Sequence, residues 1–111
     1  MNISEIGNTL HCSFSERLDG LVCAEFEQEL LRRSTGFNNT CKEGKIVFDL
    51  VGVVFISSAF LRICLIHLKS FGKDRFTITN VSEEIYKAFC VSGFSEIMNV
   101  VPPGQVAQPP E

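Results

Sequence analysis

Two adjacent serines, Ser57 and Ser58, stand between an apolar run that ends at Ile56 and a segment with helical periodicity. A serine oxygen at such a junction can accept an orphan backbone N–H and cap the helix, worth about 1 kcal/mol. The same position offers a second chemistry. A phosphate on a first-turn serine meets free N–H groups and the positive end of the helix dipole. It adds close to two negative charges without melting the helix. The remaining inventory is poor in reactive groups. His11 alternates with apolar residues in a predicted strand, and His67 is expected on the polar side of a helix. Neither stands at metal-ligand spacing from a cysteine or carboxylate. There is no G-x-S-x-G elbow, no Walker loop and no Rossmann fingerprint, and Gly52 alone after a strand makes no phosphate cradle. The five cysteines, Cys12, Cys23, Cys41, Cys64 and Cys90, are odd in number and form no C-x-x-C pair. They read as reduced thiols of a cytoplasmic protein, most of them buried, rather than as disulfides or metal ligands. The sequence therefore points away from an enzyme, with no cofactor and no metal expected.

The elements that must position Ser57 and Ser58 follow from periodicity and punctuation. Asn2–Ile6, a Gly7-Asn8 turn and the alternating run Thr9–Ser15 predict a β-hairpin. Arg17-Leu18-Asp19-Gly20 reads as a turn into a first helix from Val22 to Arg33, whose last-turn arginines suit the dipole. Ser34 to Gly44, with two glycines and two asparagines, is expected to be a polar connector. Lys45–Leu50 is an apolar run too short for a helix and predicts a central strand covered on both faces. A second helix is expected over Ser58–Phe71, stopped by Gly72. Asp74–Thr79 alternates as a strand. Ser82 caps a third helix, Glu83–Ser92, and Gly93 stops it. Phe94, Ile97 and Val100 close the domain with a short turn or edge strand. The order predicts an α/β domain, a mixed sheet of about four or five strands with helices packed on it. Functional groups in such sheets lie at strand carboxyl ends and helix N-termini.

A chain of 111 residues has the length of one domain. Residues 1–101 are assigned to that domain, and 102–111, which holds all four prolines, to a disordered tail. Ten basic against thirteen acidic residues, a formal charge of −3 with no basic run, argue against nucleic acid as a partner. Met1 to Leu10 lacks the pattern of a signal peptide. The longest apolar stretch, Ile46 to Ala59, is broken by Asp49, Gly52 and the serines and falls short of the ~20 residues of a membrane helix, so no membrane insertion is expected.

The run K-I-V-F-D-L-V-G-V-V-F-I-S-S-A-F-L-R-I-C-L, residues 45 to 65, resembles the core motif of the STAS family, the bacterial anti-sigma-factor antagonists. In that family a strand ending in D-L leads through a short loop to D-S-[ST]-G-L, or to the variant S-S-A-G-L-R, and a helix. Arg17-Leu18-Asp19 resembles the family's G-x-L-D turn. Val81-Ser82, followed by Phe89-Cys90-Val91-Ser92-Gly93-Phe94, resembles its closing S-P-x-V…L-x-x-x-G-L segment. The likeness spans roughly residues 5 to 100.

The resemblance implies a STAS-like single domain that works in partner switching. Such a domain binds an anti-sigma-factor serine kinase of the GHKL type and so frees a sigma factor for transcription. Phosphorylation of the serine at the second helix's N-terminus abolishes binding, and a PP2C-type phosphatase restores it. Position by position, the phosphoacceptor falls on Ser58, with Ser57, Asp49 and Asp19 as its neighbours. Two positions depart from the pattern. Phe60 and Glu16 stand where the family has glycine; the phenyl ring either packs on the core edge or obstructs a kinase's approach to the backbone, which would call for a partner with a differently shaped pocket or end phosphorylation altogether. The resemblance leaves open an alternative, a non-phosphorylated accessory subunit of a lipid-transport ATPase, and it leaves the oligomeric state undetermined.

A partner-binding face is expected beside Ser58. At 100° per residue, Leu61, Cys64, Leu65, Leu68 and Phe71 fall on one side of the second helix, assigned to the sheet. Arg62, Ile63 and Ile66 then fall on the opposite side and, with Phe60, predict an exposed apolar patch with a charged rim.

Overall fold

Gly7, at φ 61°, and Asn8 turn the chain so that β1 (Asn2–Ile6) returns antiparallel against β2 (Thr9–Ser13). The computed structural model describes residues 1–104; of the expected tail, residues 105–111 lie outside the described residues. After β2 come β3 (Glu16–Leu18), α1 (Gly20–Thr40), β4 (Lys45–Asp49) and β5 (Val53–Ile56). The chain continues with α2 (Ser58–Phe71), β6 (Phe76–Thr79), α3 (Glu83–Val91), a 3₁₀ turn (Phe94–Glu96) and β7 (Asn99–Val100). The main sheet has the order β1-β2-β4-β6-β7, antiparallel at the hairpin and parallel elsewhere. The described residues form a single α/β domain with three α-helices and a mixed five-stranded sheet.

One face of this sheet makes the core. Leu10 and Cys12 of β2, Ile46 and Phe48 of β4, and Phe76 and Ile78 of β6 alternate inward. They join one cluster with the buried residues of all three helices, so the helices lie on a single side. The opposite face is left to Ser4, His11, Val47, Thr77 and Asn99, which line up across the strands. Lys45–Leu50 is therefore central but not covered on both faces, as its unbroken apolar run had suggested; Lys45, Val47 and Asp49 stay half-buried.

Two further expectations change. The segment Ser34–Thr40 is not a connector but the last two turns of α1. Packing overrides the low helix propensity of Gly36, Asn38 and Asn39. Phe37 is buried and stacks on Phe71, 6.4 Å between centroids, and Asn38 donates to the Ser70 carbonyl at 3.1 Å. Gly44 then has to be glycine, because a Cβ there would come within 2.6 Å of the Phe37 ring. The segment before α1 is not a plain turn either: β3 pairs in parallel with β5 as a separate two-stranded ribbon.

Glu16, which opens that ribbon, holds φ 63°, the left-handed conformation that glycine adopts freely. Its side chain is exposed, so little packing compensates the strain, about 1–2 kcal/mol. Glu16→Gly is expected to stabilise the domain by about 0.5–1 kcal/mol after the extra unfolded-state entropy of glycine, raising the Tm by about 3–5 °C. A thermal melt that falls instead would show that Glu16 makes contacts worth more than its strain.

Candidate functional site

The ribbon brings two helix N-termini side by side. Leu18 of β3 pairs with Ile56 of β5, and each strand runs directly into a capping residue, Asp19 for α1 and Ser57 for α2. The Asp19 carboxylate accepts from the Val22 N–H at 2.9 Å. The Ser57 hydroxyl donates to the Leu18 carbonyl at 2.7 Å and accepts from the Phe60 N–H at 3.4 Å. The Ser57 N–H also reaches the Leu18 carbonyl, at 3.1 Å. Ser57 is thus committed to holding the two strand ends together and to capping α2. Ser58, the first residue of α2, is exposed. Its hydroxyl stands at the positive end of the α2 dipole.

Behind this junction the thiols are inert. Cys23 donates weakly to the Leu18 carbonyl, 3.8 Å away. Burial pushes its pKa up, as it does for Cys64 and for Cys12, which reaches about 12. None of the three is a thiolate nucleophile near neutral pH. Cys12, Cys23 and Cys64 are buried as expected, Cys41 is half-buried, and Cys90 is exposed, so the apolar pattern around Cys90 did not bury it.

Asp49 does not join Ser57 and Ser58. Its carboxylate accepts from the Val51 N–H at 3.1 Å and from the Asn80 side chain at 3.0 Å, and pairs with His11 at 3.3 Å. These bonds tie the loops after β4 and β6 together on the open side of the sheet. Asp19, by contrast, does lie beside the serines, through the ribbon.

The expected partner face also has to be redrawn. Phe60 and Ile63 are fully buried, with Cys64, His67 and Phe71 on the same stripe. Their spacing, i, i+3, i+4, i+7 and i+11, is the core phase of α2. Treating His67 as polar shifted the expected phase by one residue, and Leu61, Leu65 and Leu68 are half-buried flanks instead. The Phe60 ring packs edge-on to Phe14, 5.3 Å between centroids, and near Phe48 at 6.0 Å. It is turned inward and presents no aromatic group beside Ser58. Of the expected face, Arg62 is exposed and Ile66 is half-buried. What is exposed near Ser58 instead is on the ribbon and the first turn of α1: Val54 (65% exposed), Phe55 (37%) and Leu21 (77%). The Arg17 guanidinium lies 4.4 Å above the Phe55 ring. The alternation of an apolar residue with Arg17 across a ribbon was not readable before the pairing of β3 with β5 was known.

His67 is the other group placed unexpectedly. Its Nδ1 lies 2.8 Å from the Ile63 carbonyl and its Nε2 lies 2.9 Å from the Ser34 hydroxyl of α1. A carbonyl only accepts, so Nδ1 carries the proton and a neutral ring accepts from Ser34 at Nε2. A cleft of about 70 Å³ lined by Thr35, Asn38 and Ser70 opens above the pair. The hydroxyl and imidazole have the order of a nucleophile and its base, but both sit in helix interiors, where the surrounding N–H groups serve i−4 carbonyls and stabilise no oxyanion. The pair joins α1 to α2.

Burial holds the His67 pKa below the usual histidine value, with the Ile63 bond opposing it. The unfolded chain therefore binds a proton near pH 6.5 that the folded chain refuses, and stability falls as pH drops below that value. Urea unfolding at pH 7.5 and 5.5 is expected to show a loss in the wild type that shrinks in His67→Leu, where the Ser34 hydroxyl, released from the ring, turns its proton to the Leu31 carbonyl 3.3 Å away. An equal loss in both proteins would place the acid sensitivity elsewhere.

No protein-family model matches the sequence, and no curated protein matches it. Among the described residues no helix is long and apolar enough to cross a membrane, and no three His, Cys, Asp or Glu side chains are grouped to hold a metal ion.

Proposed function

We propose that this domain is an anti-sigma-factor antagonist of the STAS type, a cytoplasmic interaction module that binds a GHKL-type serine kinase and is released from it by phosphorylation of Ser58. The observation that carries the proposal is the division of labour between the two serines: Ser57 is spent on capping, and Ser58 stands exposed at the start of α2. The strand–loop–helix order around them agrees with the sequence resemblance. Phe60, the main departure from the family pattern, turns its ring into the core and leaves the approach to Ser58 clear. The docking face in this proposal is the exposed end formed by Ser58, Arg62, Phe55 and Leu21, with Arg17 at its rim. A PP2C-type phosphatase reverses the switch.

Incubation with the cognate kinase and ATP is the test. Wild-type protein and Ser57→Ala are expected to gain the mass of one phosphate, and Ser58→Ala none. A wild-type chain that stays unmodified by that kinase would sink the phosphorylation half of the proposal.

A further inference from the structure

Ser58 and Arg62 are four residues apart on α2, one turn up the same side of the helix. Arg62 is not idle there. Its guanidinium reaches across to α1 and touches one oxygen of Glu27 at 3.1 Å. The arginine side chain is 62% exposed and the glutamate 22%, so the more buried partner is the carboxylate. Asp19 and Glu27 push the Cys23 thiol pKa upward and Arg62 pushes it downward, which gathers these three charges around one point below Ser57.

Resting on the reading of Ser58 as phosphoacceptor, we infer that Arg62 is the residue that senses its charge: a phosphate on Ser58 takes the Arg62 guanidinium from Glu27. The comparison of the two acceptors decides the direction. Glu27 offers one oxygen in a single contact and one negative charge. A phosphoserine offers nearly two charges and three acceptor oxygens, which the planar guanidinium fork meets bidentately. The exchange needs only a rotamer change of an exposed side chain. It also has an effect beyond the phosphate itself. Glu27 loses its cation, the clasp between α1 and α2 opens, and a carboxylate is left without its partner on α1. The partner then meets the phosphate with its neighbouring carboxylate no longer neutralised by Arg62.

The measurement uses the full chain with phosphoserine installed at position 58 during synthesis, so that no kinase is needed. The phosphate's second ionisation is followed by phosphorus NMR across pH 4.5 to 8 at low salt. Arg62→Gln is expected to raise its midpoint by about half a unit, because an opposite charge that favoured the dianion is gone. Glu27→Gln is expected to lower it, because the competitor for Arg62 is gone. A phosphate that titrates identically in the wild type and in Arg62→Gln overturns the inference. Failure of the kinase to modify Ser58 is a different result, which removes the proposed regulation and leaves this exchange of partners as measured.

Discussion

Ile63→Glu is expected to abolish the folded state, at a cost of more than about 4 kcal/mol against a total stability of about 5–15 kcal/mol. Ile63 has no exposed surface and sits on the stripe of α2 that enters the core with Phe60, Cys64 and His67. A carboxylate there has no cation within the cluster and must be buried charged or protonated, both costly. Circular dichroism and proton NMR would show loss of the cooperative melt and of dispersed amide signals. A folded variant melting within a few degrees of the wild type would mean that α2 is rotated by about one residue and that Ile63 belongs to the surface after all.

The second large effect is on binding and not on stability. Phe55→Glu is expected to weaken the complex with the cognate kinase by about 30-fold or more, ~2 kcal/mol, with a melting temperature close to that of the wild type. Phe55 is partly exposed on a two-stranded ribbon, and its one specific contact is the Arg17 guanidinium at 4.4 Å, worth about 0.5–1 kcal/mol at such a site. Removing the ring costs the domain less than it costs a partner that covers Phe55 and Leu21, which loses an aromatic anchor and meets a charge. Titration calorimetry with the kinase reads this directly. Unchanged affinity would move the docking face away from the ribbon.

The sequence by itself determined the pieces whose signals are local. The Gly7-Asn8 hairpin, the cap at Ser82, the stop at Gly72 and the strands at Lys45 and Phe76 rest on a turn residue, a capping oxygen, a short apolar run or a period of two. Such signals act within a few residues and need no partner. The resemblance picked Ser58 over Ser57 as acceptor, and the structure adds that Ser57 is the cap.

Three features were decided only by the tertiary structure. The last turns of α1 carry poor helix formers and exist because Phe37 stacks on Phe71 and Asn38 bonds across to Ser70. The ribbon joins segments 37 residues apart, Glu16 to Val53, through strands of three and four residues, too short for any alternation to register. The phase of α2 turned on His67, which counts as polar in a helical wheel yet is buried because Ser34 and the Ile63 carbonyl satisfy both ring nitrogens. A histidine's burial depends on partners from another helix, and no pattern of spacing along its own helix carries that information. That one residue moved Phe60 and Ile63 from the surface to the core and left the ribbon to supply the exposed apolar face.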